Sequence, residues 1–203
     1  MTTSVLSSPR VRQLAAALRL LLVLTVLLGL SYPLVVTGVA QLTMSGNADG
    51  SLVHRGGRVV GSDLIGQSFR NDPAYFQSRP SAAGDGYDPR STGASNLGPS
   101  SPDLVAAEKA RRAAVVKLDG VAPRQVPPDA LQASGSGLDP DISPAYADIQ
   151  VRRVAAARGL PVATVRHQVA RYTAGRTLGV LGEPRVNVLD VNLALDALTG
   201  SGG

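Results

Sequence analysis

The sequence contains no cysteine. Disulfides, thiolate metal sites and cysteine nucleophiles are therefore excluded in any compartment. Histidine is nearly absent too: only His54 and His167 occur, far apart, so no histidine pair has the helical spacing of a zinc site. Tryptophan is missing and aromatic residues make up 3% of the chain, which leaves few platforms for stacking single-stranded nucleic acid. The net charge of +5 is dispersed rather than clustered, and reads as a solvated basic surface instead of a phosphate-tracking stripe. No nucleic-acid partner is expected.

What is present is a long apolar run. No charged residue occurs between Leu20 and Ala48, and "LLLVLTVLLGLSYPLVVTGVA" exceeds the roughly 20 residues needed to cross a hydrocarbon core. Arg10, Arg12 and Arg19 precede it and Asp49 follows, so the positive-inside bias puts the N-terminus in the cytoplasm and the bulk of the chain outside. Gly38 and Ala40 offer a small-residue pattern for signal cleavage, but the run is much longer than the 7–15 residues of a signal h-region, which favours a retained anchor. Pro33 leaves one carbonyl without its helical donor, a defect that a Ser or Thr side chain or a neighbouring helix can satisfy.

The expected organisation is a basic cytoplasmic arm (1–19), a transmembrane helix (20–42), a linker (43–57), an extracytoplasmic α+β domain (58–198) and a short tail (199–203). "RVVGSDLIGQSF" (58–69) reads as extended chain. Residues 71–102 hold five prolines and much glycine and serine, yet Tyr75, Phe76, Tyr87 and Leu97 suit a long loop ordered by packing better than a pure linker. A helix is predicted after Ser101 as N-cap and Pro102 as first residue, with Leu104, Ala107, Arg111, Val115 and Leu118 on one face and Gly120 as stop. Another follows Ser143 and Pro144, carries Ala147, Val151, Val154 and Ala155, and stops at Gly159. A third starts near Pro161 with Val162, Val165, Val169 and Tyr172, leaving His167 off its apolar stripe. "RVNVLDVNLALDAL" changes period from two to 3.6, predicting a strand and then a helix capped by Asp190 over Val191, Ala194, Leu195 and Leu198. Such elements compose a small α+β domain.

"ASGSGLDPDIS" (133–143) is the stretch closest to a chemical motif. A P-loop would need lysine where Leu138 stands, and a nucleophile elbow would need glycine where Ser134 stands, with a base that neither histidine offers. A turn explains the residues better: Gly135 and Gly137 supply positive φ, Asp139 before Pro140 starts a turn, and Ser143 caps the next helix.

The same stretch also carries a family resemblance. "GSDLIGQSF" (61–69), "YFQSRPSA" (75–82), "STGASNLGPSSPDL" (91–104), "ASGSGLDPDISPAYADIQVRRVAAARGL" (133–160) and "LGEPRVNVLDVNLALD" (181–196), in order after a single span, resemble the C chain of the Kdp-type potassium-transporting ATPase. Asp141, where a polar or imidazole side chain is expected, and Ala94, where a second glycine is usual, depart from the pattern. The resemblance implies a non-catalytic subunit of an ATP-driven potassium importer. Its partners would be a catalytic P-type subunit that hydrolyses ATP, a channel-like potassium-conducting subunit and a small single-span subunit.

The resemblance further implies a catalytic chaperone that raises the nucleotide affinity of the hydrolytic subunit, with no cofactor of its own and ATP at most shared. Gln132, Ser134, Gly135, Ser136 and Gly137 resemble the signature loop of ABC-type ATPases and would be the nucleotide contacts; glycine-rich backbone amides can hold an anion without lysine. ATP is cytoplasmic, however, whereas the arginine bias places this loop outside. The charge bias is given more weight, and the loop is expected to be architectural. Two other readings stand beside the pump subunit: a free-standing membrane-anchored binding or sensor domain, and a secreted hydrolase cleaved after Ala40 and dependent on Ser136.

Overall fold

The apolar run forms one helical path, broken at Met44. α1 (Pro9–Leu24) passes through a π-helical stretch, Thr25–Ser31, into α2 (Tyr32–Ala48), and Pro33 accounts for the widened turns. Proline has no N–H to give the carbonyl of Gly29 and its ring crowds that carbonyl, so the backbone ahead of it relaxes to the wider pitch. The 40 residues from Pro9 to Ala48 contain an 18-residue window of mean hydropathy 2.3, long and apolar enough to cross a membrane. At 1.5 Å per residue the path up to the break at Met44 is about 50 Å long, more than a hydrocarbon core. This computed structural model describes residues 9–200; residues 1–8 of the basic arm and 201–203 of the tail lie outside the described residues.

The chain divides into two compact units, Met1–Ser51 and Leu52–Gly203. The stretch read as a linker from 43 to 57 is more structured than expected. α2 runs on to Ala48 with a non-helical break at Met44, and β1 (Leu52–Arg55) pairs antiparallel with β2 (Arg58–Ser62). The two-residue turn between them is Gly56-Gly57, with φ of 55° and 78°. Positive φ at both central positions gives the turn whose twist matches a hairpin, and glycine takes it without a Cβ clash.

The second unit is α+β. α3 (Pro102–Asp119), α4 (Pro144–Arg158), α5 (Val162–Arg171) and α6 (Val188–Thr199) accompany a three-stranded antiparallel sheet in the order β3 (Asp141–Ile142), β5 (Arg185–Asn187), β4 (Thr173–Ala174). The register pairs Ile142 with Val186 and Val186 with Thr173. Helix starts and stops follow the sequence closely. Pro102 and Pro144 open their helices, Gly120 and Gly159 close them, and Ser143 Oγ accepts the Tyr146 N–H at 3.0 Å. One cap is different: α6 is capped by Asn187, whose side-chain oxygen accepts the Asp190 N–H at 3.2 Å, so Asp190 sits in the first turn instead of at the cap. The side chain three residues ahead of an orphan N–H reaches it directly, and Asn187 occupies that place.

The core takes part of each anticipated apolar face: Val115 from α3, Ala147, Val151, Val154 and Ala155 from α4, Val165 and Val169 from α5, and Val191 and Leu195 from α6. Val162 and Leu198, expected on the same stripes, are exposed, and Leu104, Ala107 and Leu118 are half-buried. His167 is exposed. Two 3-10 turns, Pro123–Gln125 and Pro128–Ala130, organise the irregular stretch after α3.

The long segment 63–101 has neither helix nor strand but is held by polar side chains. Phe76, fully buried, donates its N–H to Asn192 Oδ1 at 2.8 Å and accepts from Asn192 Nδ2 at 3.0 Å. The neighbouring Gln77 repeats the exchange with Gln150, at 2.7 and 3.2 Å. Two buried amides on α6 and α4 thus replace the neighbouring strand that this extended chain lacks. Arg153 adds bonds to the carbonyls of Pro73 (2.7 Å) and Tyr75 (2.8 Å) while pairing with Asp119 at 2.7 Å. Tyr75 stacks on Phe69, with ring centroids 5.5 Å apart, and lies under the guanidinium of Arg158.

Candidate functional site

The glycine-serine loop hangs between the end of the second 3-10 turn and β3, and most of its polar groups are turned inward. Ser134 is buried, and its Oγ accepts the Gly137 N–H at 2.9 Å. The Ser136 carbonyl accepts from the Gly93 N–H at 2.9 Å and from Thr92 Oγ1 at 2.7 Å. The Gly137 carbonyl accepts from Ser81 Oγ at 2.6 Å, and the Leu138 carbonyl from the Gly66 N–H at 2.8 Å. Gly137 is in the left-handed region at φ 69°, and a Cβ there would stand 2.7 Å from the Ala83 nitrogen and the Gly93 oxygen. Gly135, expected to need the same conformation, does not have positive φ, and a Cβ on it would meet nothing within 4 Å. One left-handed residue suffices to reverse the chain, so the other glycine is free of that demand.

Gln132 is exposed and its Nε2 lies 3.2 Å from Glu108 Oε1; its carbonyl accepts from Arg79 Nη2 at 3.4 Å. Arg79 also pairs with Asp139 at 2.8 Å, and Asp139 Oδ1 accepts the Asp141 N–H at 3.0 Å, which closes the turn anticipated before Pro140. The Tyr87 hydroxyl donates to the Arg79 carbonyl, and burial, the largest influence, pushes its pKa up to about 12. It is a neutral donor at any physiological pH.

The five sequence candidates are therefore contiguous but not equivalent. Ser134 and Gly137 are buried, while Gln132, Gly135 and Ser136 reach solvent. The N–H groups of Gly135 and Ser136 have no acceptor among the described residues, so the loop's outer lip retains two free donors. Ser136 Oγ accepts the Leu138 N–H at 3.1 Å, and no histidine hydrogen-bonds to either serine among the described residues. The chemistry open to this arrangement is backbone hydrogen bonding. Sequence reasoning missed Ser81, Thr92, Gly93 and Arg79 as the residues that hold the loop; their signal lay in "YFQSRPSA" and "STGASN", two blocks quoted for the resemblance without a role.

The family model described as K+-transporting ATPase, c chain (KdpC) matches residues 14–197. The chain belongs to the KdpC family. Among its relatives, the potassium-transporting ATPase KdpC subunit of Kineococcus radiotolerans is 59% identical over 184 residues, covering 91% of this chain and 93% of that one. That of Gemmatimonas aurantiaca is 54% identical over 191 residues, 94% and 95% of the two chains. That of Sorangium cellulosum is 56% identical over 184 residues, 90% and 96%. In this KdpC chain, Asp141, one of the two departures noted in the sequence, pairs with Arg185 at 3.0 Å across β3 and β5. Burial raises its pKa above the ordinary carboxylate value and the Arg185 charge opposes that rise.

Proposed function

We propose that this chain is the non-catalytic accessory subunit of an ATP-driven potassium uptake complex. It is anchored by its leading helix, with the N-terminus in the cytoplasm and the α+β domain outside. The single observation that carries the reading is the match to the KdpC family over residues 14–197, which takes in both the helix and the domain. The partners are a catalytic P-type subunit, where ATP is hydrolysed, a potassium-conducting channel-like subunit and a small single-span subunit. The α+β domain packs on the conducting subunit near its entrance. The loop from Gln132 to Gly137 is architectural, a role supported by the inward bonds of Ser134, Ser136 and Gly137. Any part the chain plays in nucleotide affinity is then exerted through the complex, with ATP held by the catalytic subunit.

Two experiments test this together. Co-purification from solubilised membranes is expected to bring down a large P-type ATPase and a polytopic channel-like protein; a chain that purifies alone and monodisperse would favour the sensor reading. Because the chain has no cysteine, Ser136→Cys gives a single exposed thiol. An impermeant thiol reagent is expected to label it in intact cells. Labelling only after lysis would end the proposed orientation and return the loop to the nucleotide side.

A further inference from the structure

An open cavity of about 650 Å3 lies between the segment 67–87 and α3, and none of residues 132–137 lines it. That volume suits a small organic ligand. Its charge is one-sided. Arg70, Arg79, Arg111 and Lys117 line it, and no Asp or Glu does. Arg79 is balanced by Asp139, but Arg70, Arg111 and Lys117 have no carboxylate within ion-pair distance among the described residues. Arg111 spends one N–H on the Leu131 carbonyl at 2.7 Å.

Two donors at this cavity are also unspent. Arg79 Nε is buried without an acceptor. Tyr146, another lining residue, is 4% exposed, and its hydroxyl, without a protein partner among the described residues, keeps access to water. Burial, the largest influence, drives its pKa upward, so it stays a proton donor. A buried donor without an acceptor, as at Arg79 Nε, is uncommon, because it loses its water without compensation. The remaining wall is mixed: Ser68, Asn71 and Ser81 are polar, while Phe69, Val115 and Leu118 give it an apolar side.

We propose that this cavity binds a phosphate monoester whose organic body packs on the apolar side. Three unpaired cations match the two negative charges of a monoester better than one carboxylate does, and guanidinium forks suit phosphate oxygens. The phosphate has two sources, a soluble phosphate ester or the headgroup of a phosphatidic acid. The site is separate from the glycine-serine loop and does not depend on the chain's orientation in the membrane.

The test titrates phenyl phosphate into the purified full chain in an uncharged detergent, followed by calorimetry, with benzyl alcohol as the ligand lacking phosphate. Saturable one-to-one binding is expected for phenyl phosphate alone. Arg70→Gln and Lys117→Gln, both at exposed side chains, should each weaken it about tenfold. Lys109→Gln, exposed on α3 but outside the cavity, should leave it unchanged. Near-ultraviolet circular dichroism establishes that each variant keeps the parental fold. Dihexanoyl phosphatidic acid then identifies the source: displacement of phenyl phosphate at lower concentration assigns the site to lipid, and weaker displacement assigns it to a soluble ester. Absence of saturable binding, or equal weakening by Lys109→Gln and Lys117→Gln, overturns the proposal, the latter because diffuse surface charge would then explain the affinity.

Discussion

Asn192 is 1% exposed, sits on a helix and spends its amide on the backbone of Phe76, more than a hundred positions earlier in the chain. Its removal leaves a buried N–H and a buried C=O without partners, and each such orphan costs about 1–3 kcal/mol. Asn192→Leu is therefore expected to lower the unfolding free energy by about 2 kcal/mol or more. Urea denaturation followed by far-ultraviolet circular dichroism reads this directly, and an unchanged midpoint would show that the loop finds other partners. The glycine-serine loop offers a sharper contrast. Gly137→Ala places a methyl group against the Ala83 nitrogen and the Gly93 oxygen in a left-handed conformation, whereas Gly135→Ala meets open space. The first should destabilise by about 2 kcal/mol or more and the second by less than about 1 kcal/mol, in the same assay. A signature loop that used every glycine to approach a nucleotide would not distinguish the two in stability but would lose function at both.

At the scale of elements, the caps divide into those that use their side chain and those that do not. Ser143 accepts the Tyr146 N–H and its hydroxyl also meets Asp129 at 2.9 Å, while Ser101, in the equivalent place on α3, makes no side-chain cap bond. Ser143→Ala should cost about 1 kcal/mol and Ser101→Ala a few tenths, a difference visible in thermal melts of the two variants. Both serines carry the same signal in sequence, Ser-Pro ahead of an apolar stripe. The distinction comes from Asp129, in a 3-10 turn that sequence treats as irregular; its carboxylate also accepts the Ser143 N–H at 2.8 Å, fixing the backbone so that the hydroxyl faces the helix. The β1–β2 hairpin was legible in principle, since two glycines between "LVHR" and "RVVGS" are a hairpin signal, but the polar approach to them reads as a linker. The widened turns before Pro33 follow from covalent chemistry alone and needed no tertiary contact.

For the whole molecule, the response to pH follows from three carboxylates brought under cover by different elements: Asp119 at the end of α3, Asp141 on β3 and Asp190 in α6. Burial, the largest influence in each, raises their pKa values above 3.8; Arg153 opposes the rise at Asp119, Arg185 opposes it at Asp141, and Asp63 adds to it at Asp190. Between the unfolded and the raised folded values the native state binds more protons than the unfolded one. These groups therefore favour the fold most fully below the ordinary carboxylate value, and that contribution is lost as pH rises through the raised values. Asp119→Asn removes one such titration. Its stability relative to the parent chain should increase as pH goes from about 4 towards 7. The quantity to read is the slope from urea titrations, since loss of the buried pair with Arg153 shifts the intercept at every pH. A relative stability that falls with pH would mean that the Arg153 charge outweighs burial.

Much of this protein was determined by sequence alone, wherever the deciding physics is local. An uncharged run of this length fixes a helix able to span a membrane, proline and glycine fix where α3 and α4 begin and end, and the period of valines and alanines fixes which faces enter the core. The α+β class and the family blocks followed from the same reading. Tertiary structure alone decided that Gln150 and Asn192 serve as strand substitutes for residues 76 and 77, and that Gly137 but not Gly135 is sterically required. It also decided that Arg70, Arg111 and Lys117 converge on one cavity. Each of these depends on contacts between residues distant along the chain, and a hydrogen bond or an unpaired charge acquires its energy only when folding removes the water around it.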